Sequence, residues 1–305
     1  MIGYITKRIG HGILVLWGVT TFIFFLIRLS GDPVDLMLAD DATEQDRQRI
    51  QASLGLDQPL HIQYVQFIVR AAQGDFGRSF RHDAPSLQLV LDRLPATLEL
   101  TAVAVLLVLV VSIPVGIISA TRRGTTFDNV ARFIAVVGQC TPIFWLGILL
   151  IQFFSVFLGV LPSFGRGTFW HVLLPGLTLA AYSVPITMRM LRSNLLDALS
   201  TDYVRTAHAK GQHPTVVLVK HALRNAAIPV LTVFTLRIGT IISGAVVTEQ
   251  VFGYPGMGRL ALQAIANRDY AVVQAFVALV AAIIVALNLL LDIAYGLLDP
   301  RVRVS

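Results

Sequence analysis

The sequence predicts an all-α membrane protein with six transmembrane helices and a small helical extracytoplasmic subdomain after the first helix. Three observations carry this reading. Hydrophobic residues fill 55% of the 305 positions and charged residues only 14%, with a mean hydropathy of +0.71; these are values of a polytopic chain rather than a soluble one. Apolar runs long enough to cross a hydrocarbon core of roughly 30 Å recur six times. Cations gather in alternate connecting segments, as membrane insertion requires.

The first run, 9–28, follows Lys7 and Arg8. It is longer than the apolar region of a signal peptide, and Arg28-Leu29-Ser30-Gly31-Asp32 offers no small-x-small cleavage site, so residues 1–29 are read as an inner N-terminus and a retained helix. Residues 30–96 form the polar subdomain. Thr43, with an acid at Asp46, opens a helix that Gly55 ends. Pro59 starts a second helix, with Leu60, Tyr64, Phe67 and Ile68 on one face. Gly74 to Gly77 is a turn, and Pro85 opens a third short helix to Arg93. A spacer would need far fewer residues, so this subdomain is read as a docking surface for an external partner, with Asp40, Asp41, Glu44 and Asp46 as its charged face.

Residues 97–305 hold the five remaining spans, at about 98–120, 131–158, 172–192, 228–251 and 271–298. Arg122 to Thr125 makes a short inner turn, and Pro142 is expected to kink the third span. Pro175 and Pro185 interrupt the fourth, which membrane helices tolerate because neighbours and water satisfy the freed carbonyls. From Gly253 to Tyr270 a Gly-Pro-Gly turn precedes an amphipathic stretch with Leu260, Ala264 and Ile265 on one face, suited to an outer interfacial helix. Lys7, Arg8, Arg122, Arg123, the set from Arg189 to Arg224, Arg301 and Arg303 fall on one side, which puts both termini inside.

Composition also excludes functions. The pI of about 9.8 reflects cations beside membrane helices, where insertion and anionic headgroups account for them, not nucleic-acid binding. The single cysteine, Cys140, excludes disulfides and is read as packing within the third span. There is no GxxxxGK[ST] loop for ATP, no HExxH, and no paired carboxylates or Ser/His/Asp set. Gly256-Met257-Gly258 follows a span and is a turn. The chain is therefore read as a non-enzyme without a metal site or cofactor of its own.

Three ionisable residues lie in or near spans: Arg237, Glu249 and Asp292. Arg237 sits nine residues past Ile228, about 13 Å deep at 1.5 Å per residue. An arginine there costs about 2.5–3.5 kcal/mol on insertion scales. It should face a cavity that meets substrate, with Thr240, Ser243 and Gln139 as further lining, or else join a buried ion pair between helices or subunits. Glu249 and Asp292 are assigned to interfacial capping or salt bridges, and Gln152 with Gln139 to interhelical hydrogen bonds.

The inner segment of about 193–227 carries the sharpest signal. From Asp202 to Thr232 it is basic and amphipathic, turns at Gly211, and runs through Ile228-Pro229 straight into the fifth span. Such a helix–turn–helix outside the bilayer is a handle on which another protein can pull. It resembles the EAA loop of ABC-importer permeases, with Arg205-Thr206-Ala207 at the EAA positions, Gly211 at the glycine and Ile228-Pro229 at the end. The motif's Glu and first Ala are absent. LGLDQPL from Leu54, GDFGRSF from Gly74, RLPATLEL from Arg93, HALRNAAIPV from His221, VFGYPGMGRL from Val251, NRDYAVVQ from Asn267 and DPRVR from Asp299 extend the likeness to the permeases of dipeptide, oligopeptide and nickel ABC importers.

The resemblance implies a type I ABC importer permease fold in a bacterial plasma (inner) membrane. It also implies a second permease subunit, two ATPase subunits that hold ATP and Mg, and an extracytoplasmic solute-binding protein. Asp202, Tyr203, Arg205, Thr206, Ala207, Lys210 and Gly211 would then couple to the ATPases, and the chain would form half of a pathway for short peptides. Nickel, a metal chelate or a glutathione-like solute are the alternative cargoes. Arg205 and Arg237 depart from the family's usual residues; a buried cation at Arg237 favours an anionic solute and, lacking an acid at its depth, a non-identical partner. A secondary transporter would need repeated halves with broken helices and midplane acids, and neither it nor a structural scaffold has a use for the inner handle.

Overall fold

The computed structural model describes residues 2–29, 43–45, 48, 51 and 57–298, and is almost wholly helical. Most of the expected helix at 43–54, with Asp40, Asp41 and Asp46, the first three residues of the motif at Leu54, the side chain of Asp292 and the DPRVR segment lie outside the described residues; Glu44 is described, helical and exposed. The helices are α1 (Ile2–Leu29), α2 (Leu60–Ala72), α3 (Ser86–Thr121), α4 (Thr126–Cys140), α5 (Ile143–Phe157), α6 (Phe169–Leu199), α7 (Asp202–Ala209), α8 (Pro214–Val251), α9 (Met257–Ala266) and α10 (Tyr270–Leu298). Two short strands, β1 (Arg78–Ser79) and β2 (Ala84–Pro85), pair as an antiparallel hairpin. Among the described residues five helices are long and apolar enough to cross a membrane, or six when α4 and α5 count as one broken span.

The chain divides into two compact units, Met1–Pro95 with Gly256–Ser305, and Ala96–Pro255. In the first, α1 packs along α10. Phe24 of α1 is fully buried against Tyr64 and Phe67 of α2, and Thr21 Oγ1 shares a 2.8 Å hydrogen bond with Tyr64 Oη. Arg28 lies over the Phe24 ring and donates to Gln63 Oε1 at 2.7 Å, so its charge is spread over an aromatic face and an amide. The α2 face expected from Tyr64, Phe67 and Ile68 is the one turned inward, while Leu60 at the first turn is exposed.

The third short helix expected at Pro85–Arg93 is not separate. Ser86 opens α3, its backbone N–H and Oγ both donating to Gly77 O, and the helix continues through Pro95 and Pro114 for 36 residues. Prolines read as a boundary in water need not break a membrane helix, whose neighbours satisfy the lost bond.

In the second unit Ala96, Leu100 and Ala104 of α3, Val172 and Leu179 of α6, Ile241 and Ala245 of α8, and Tyr254 form one apolar cluster. Small residues let these helices approach closely: a methyl group at Gly176 would stand 2.9 Å from Val103 Cγ1. The third span bends by 111° between α4 and α5. Pro142 lacks an N–H and holds Thr141 extended (ψ 126°), while Thr141 closes α4 through its own N–H and Oγ1, both onto Val137 O. The expected kink is thus a full break. Cys140, the last residue of α4, is exposed rather than packed. In α9 the buried face is Met257, Leu260, Ala261 and Ala264; Ile265, expected to share it, points out at 57% exposure because it lies one residue round from Ala264.

Candidate functional site

Asp202, Val204 and Ala207 begin the site at the end of α6, where Thr201 turns the chain into α7. Two of eight residues in α7 are buried, Val204 and Ala207. They enter an apolar cluster with Ala120 at the end of α3, Leu195 and Ala198 of α6, and Val217, Ala222 and Ala226 of α8. Burial of Val204 alone contributes about 1.5–3 kcal/mol. The opposite face stays in solvent: Asp202, Tyr203, Arg205, Thr206 and Lys210 are exposed. Arg205 Nη1 meets only Asp202 Oδ1 of its own helix, at 3.1 Å, an exposed pair that adds little stability and leaves the guanidinium available.

Gly211 then reverses the chain. Its φ of +70° is a left-handed conformation that costs a Cβ-bearing residue energy, and nothing lies within 4 Å of where a Cβ would stand. Gly211 N–H donates to His208 O and Gln212 N–H to Ala207 O, which closes α7 with its last carbonyls satisfied. Pro214 follows at the first turn of α8, its φ preset for a helix. From there α8 runs 38 residues to Val251, about 57 Å at 1.5 Å per residue. Its second turn, Val217–Leu223, is a π-helix, and Pro229 does not stop it. The second helix of the handle and the span are therefore one continuous helix.

A second anchor was not foreseen. Asp128, in the first turn of α4, is fully buried and accepts two hydrogen bonds of 2.8 Å from the Nε and Nη2 of Arg192 on α6. Gly124 N–H donates to it at 3.0 Å, and Arg132 stands 3.4 Å away. The fork ties the turn at Arg122–Thr125 to α6 ten residues before α7. Removing one partner of such a buried pair costs about 3–5 kcal/mol. The available signal was Thr125-x-x-Asp128, the spacing of a helix start; Arg192 stood out only as one cation among several on its side.

Of the residues expected to line a pathway, Arg237, Thr240 and Ser243 form an i, i+3 stripe on α8, with Arg237 half-buried and the others exposed. Ser243 Oγ donates to Gly239 O of its own helix. Among the described residues no carboxylate lies within salt-bridge distance of Arg237. Gln139, on α4, is held by Arg189 Nη2 at 2.5 Å. Glu249 is fully buried near the end of α8 and accepts from Thr97 Oγ1 at 2.6 Å. Nearby Glu99 pairs with Arg166 at 2.6 Å. Burial, with the Glu99 charge adding, pushes the Tyr254 hydroxyl up to about 12, so it stays protonated at all physiological pH.

Residues 112–304 match the family described as binding-protein-dependent transport system inner membrane component, and residues 1–101 match its N-terminal counterpart. The chain is 40% identical to the di/tripeptide transport system permease protein DppB of Pseudomonas aeruginosa, covering 99% of both chains. It is 39% identical to the oligopeptide transport system permease protein AppB of Bacillus subtilis, over 99% of this chain and 100% of that one. The glutathione transport system permease protein GsiC of Salmonella choleraesuis is 40% identical, with 99% of each covered. Among solved structures, an inward-facing MetNI methionine ABC transporter chain matches 70% of this chain and 97% of its own at TM-score 0.58 and 20% identity. A chain of an amino acid ABC transporter with histidines matches 68% and 92% at TM-score 0.54 and 17% identity. These two show the fold, that of a type I importer permease.

The apolar seam makes a sharp expectation. Ala207→Glu places a carboxylate among Leu195, Val217 and Ala226 with no cation to meet it, and should cost about 3–5 kcal/mol, as for other uncompensated buried charges. Thermal unfolding and limited proteolysis of the purified protein should show α7 released. Arg205→Glu, on the exposed face, should leave both unchanged.

Proposed function

Because this chain belongs to the family of binding-protein-dependent transport system inner membrane components, we propose that it forms half of the translocation pathway of an ATP-driven importer of short peptides. The names of its di/tripeptide and oligopeptide relatives support that cargo. A glutathione-like solute is the second reading, favoured by the equal identity to the glutathione permease. Its companions would be a second permease, a paralogue of this one, two ATPase subunits carrying ATP and Mg, and a soluble binding protein. The chain itself performs no catalysis. It crosses the inner membrane with both termini cytoplasmic, following the side on which Arg122, Arg123 and the Arg189–Arg224 set lie. The end bearing α2, the β1–β2 hairpin and α9 then faces outward.

The observation that carries this reading is a small helix, α7, with a polar exposed face and an apolar inner face, fixed by a tight turn to a helix long enough to continue across the bilayer. An ATPase seated on Asp202, Tyr203, Arg205, Thr206 and Lys210 moves α7. Since Val204 and Ala207 are packed on α3, α6 and α8 together, that movement reaches three helices at once. ATP binding thereby becomes a tilt of the pathway helices. Arg237, with Thr240 and Ser243, meets the cargo: a guanidinium in a wet cavity offers a forked donor to a peptide carboxylate. The contact must be weak, since cargo has to leave.

Two measurements check the reading. Gly211→Ile forces a β-branched residue into a left-handed turn; in the reconstituted complex it should lower ATPase association or let hydrolysis run without uptake, whereas normal assembly and normal uptake contradict the coupling role. Arg237→Gln should assemble normally and slow uptake of anionic peptides several-fold more than neutral ones. Failure to assemble would make Arg237 a structural ion-pair member, and unchanged uptake of every substrate would remove it from the pathway.

A further inference from the structure

A polar pocket of about 310 Å³ lies in the first unit, between the tip of the β1–β2 hairpin and the junction of α9 with α10. Arg81 and His82 form one side, Gln263 and Asn267 the other, and Leu260, Ala264, Val272 and Asp269 the rest. Arg81 is exposed, and its Nη1 donates to Asn267 Oδ1 at 2.8 Å, so the guanidinium is aimed by an amide and keeps its other N–H groups open. Asp269 cannot compensate it. That carboxylate is 2% exposed, accepts from Ser79 Oγ at 2.5 Å, and caps α10 through Val272 N–H. Asp83 is taken by Arg78 at 3.1 Å. Arg268, exposed beside the pocket, adds a second cation. Among the described residues neither Arg81 nor Arg268 has a carboxylate within salt-bridge distance.

The backbone holds this shape against its own preference. Arg268 and Asp83 adopt left-handed conformations, φ +53° and +45°, at the two tips that flank the pocket. Glycine is the ordinary residue where a helix ends as α9 does, with Asp269 N–H on Ala264 O. A side chain kept in such a position marks a place where surroundings fix the conformation, as functional surfaces do.

We propose that this pocket receives a carboxylate side chain from the soluble binding protein, with Arg81 as its charged contact and Asn267 as the residue that positions Arg81. The proposal rests on the importer reading above and sharpens it: docking on the outward face is made by cations of the hairpin and the α9 end. A guanidinium with open paired N–H groups fits a carboxylate in a fork, which a lysine would not reproduce. The exposed cation of Arg81 at the pocket, with Arg268 next to it in the chain, is complementary in charge to an acidic side chain on a protein surface docked at the face read as outward.

The test uses the complete transporter in lipid nanodiscs and the soluble binding protein that stimulates its ATP hydrolysis. Arg81→Glu should weaken binding-protein association about 10-fold or more, by slower association and with a reduced salt dependence, while basal ATP hydrolysis and subunit composition stay unchanged. Arg81→Lys and Asn267→Ala should weaken it less. An Asp or Glu of the binding protein cross-linked to this pocket, changed to Lys, should restore binding to Arg81→Glu. Unchanged association of Arg81→Glu overturns the proposal and leaves the importer reading intact. Lost peptide uptake with intact association would assign the pocket to cargo and also overturn it. Absence of any stimulation of the unaltered transporter by a binding protein would overturn both.

Discussion

The attachment of α7 to the rest of the second unit depends on the apolar seam beneath it. Val204 and Ala207 are small contributors by area, yet they are the only buried residues of an eight-residue helix that is too short to hold itself together in water. Packed on Ala120, Leu195, Ala198, Val217, Ala222 and Ala226, they join the inner ends of α3, α6 and α8. Without that seam α7 would fray, and a push on its polar face would be absorbed by the loop. With it, a push on α7 would be delivered to close-packed helices, whose interiors have little slack.

The ionic fork of Asp128 and Arg192 serves the same end by a different route. A buried carboxylate with two arginine bonds and a backbone N–H has one good geometry, so it fixes the start of α4 to α6 rather than adding much net stability. Apolar seam and ionic fork both act on α6, one through Leu195 and Ala198, the other through Arg192. The end of α6 that leads into α7 is thus held both by the apolar cluster and by the ionic fork. By contrast Thr240 and Ser243 are exposed on α8, and Ser243 bonds only to its own helix among the described residues.

Much of this was legible in the sequence because membrane helices announce themselves by length and apolarity. Spans, turns at Gly124 and Gly211, and the unbroken run of α8 into the fifth span follow from residue type alone. What was misread involved prolines and long-range pairing. The short helix expected at Pro85–Arg93 instead runs on through Pro95 to Thr121, whereas the third span breaks by 111° at Pro142, where Thr141 closes α4 onto Val137 O. The Thr97 hydroxyl that donates to Glu249 lies 152 positions away and could not be paired with it from the sequence. Asp128 with Arg192 and Ser79 with Asp269 were invisible for the same reason: 64 and 190 residues separate them, and no local pattern encodes such pairs. The sequence likeness through VFGYPGMGRL and NRDYAVVQ marked the outer segment that holds the Arg81 pocket, without showing which hairpin it meets.

The central claim is that α7 and the membrane part of α8 move as one body. With Cys140 replaced by serine, spin labels at His208 of α7 and Leu236 of α8, both exposed, report their separation in the assembled transporter. The account predicts the same narrow distance distribution without nucleotide and with ATP trapped in the ATPases, while either label moves relative to a third on the partner permease. A His208–Leu236 distance that shifts or broadens when ATP binds would show that the turn at Gly211 yields, and would contradict the account.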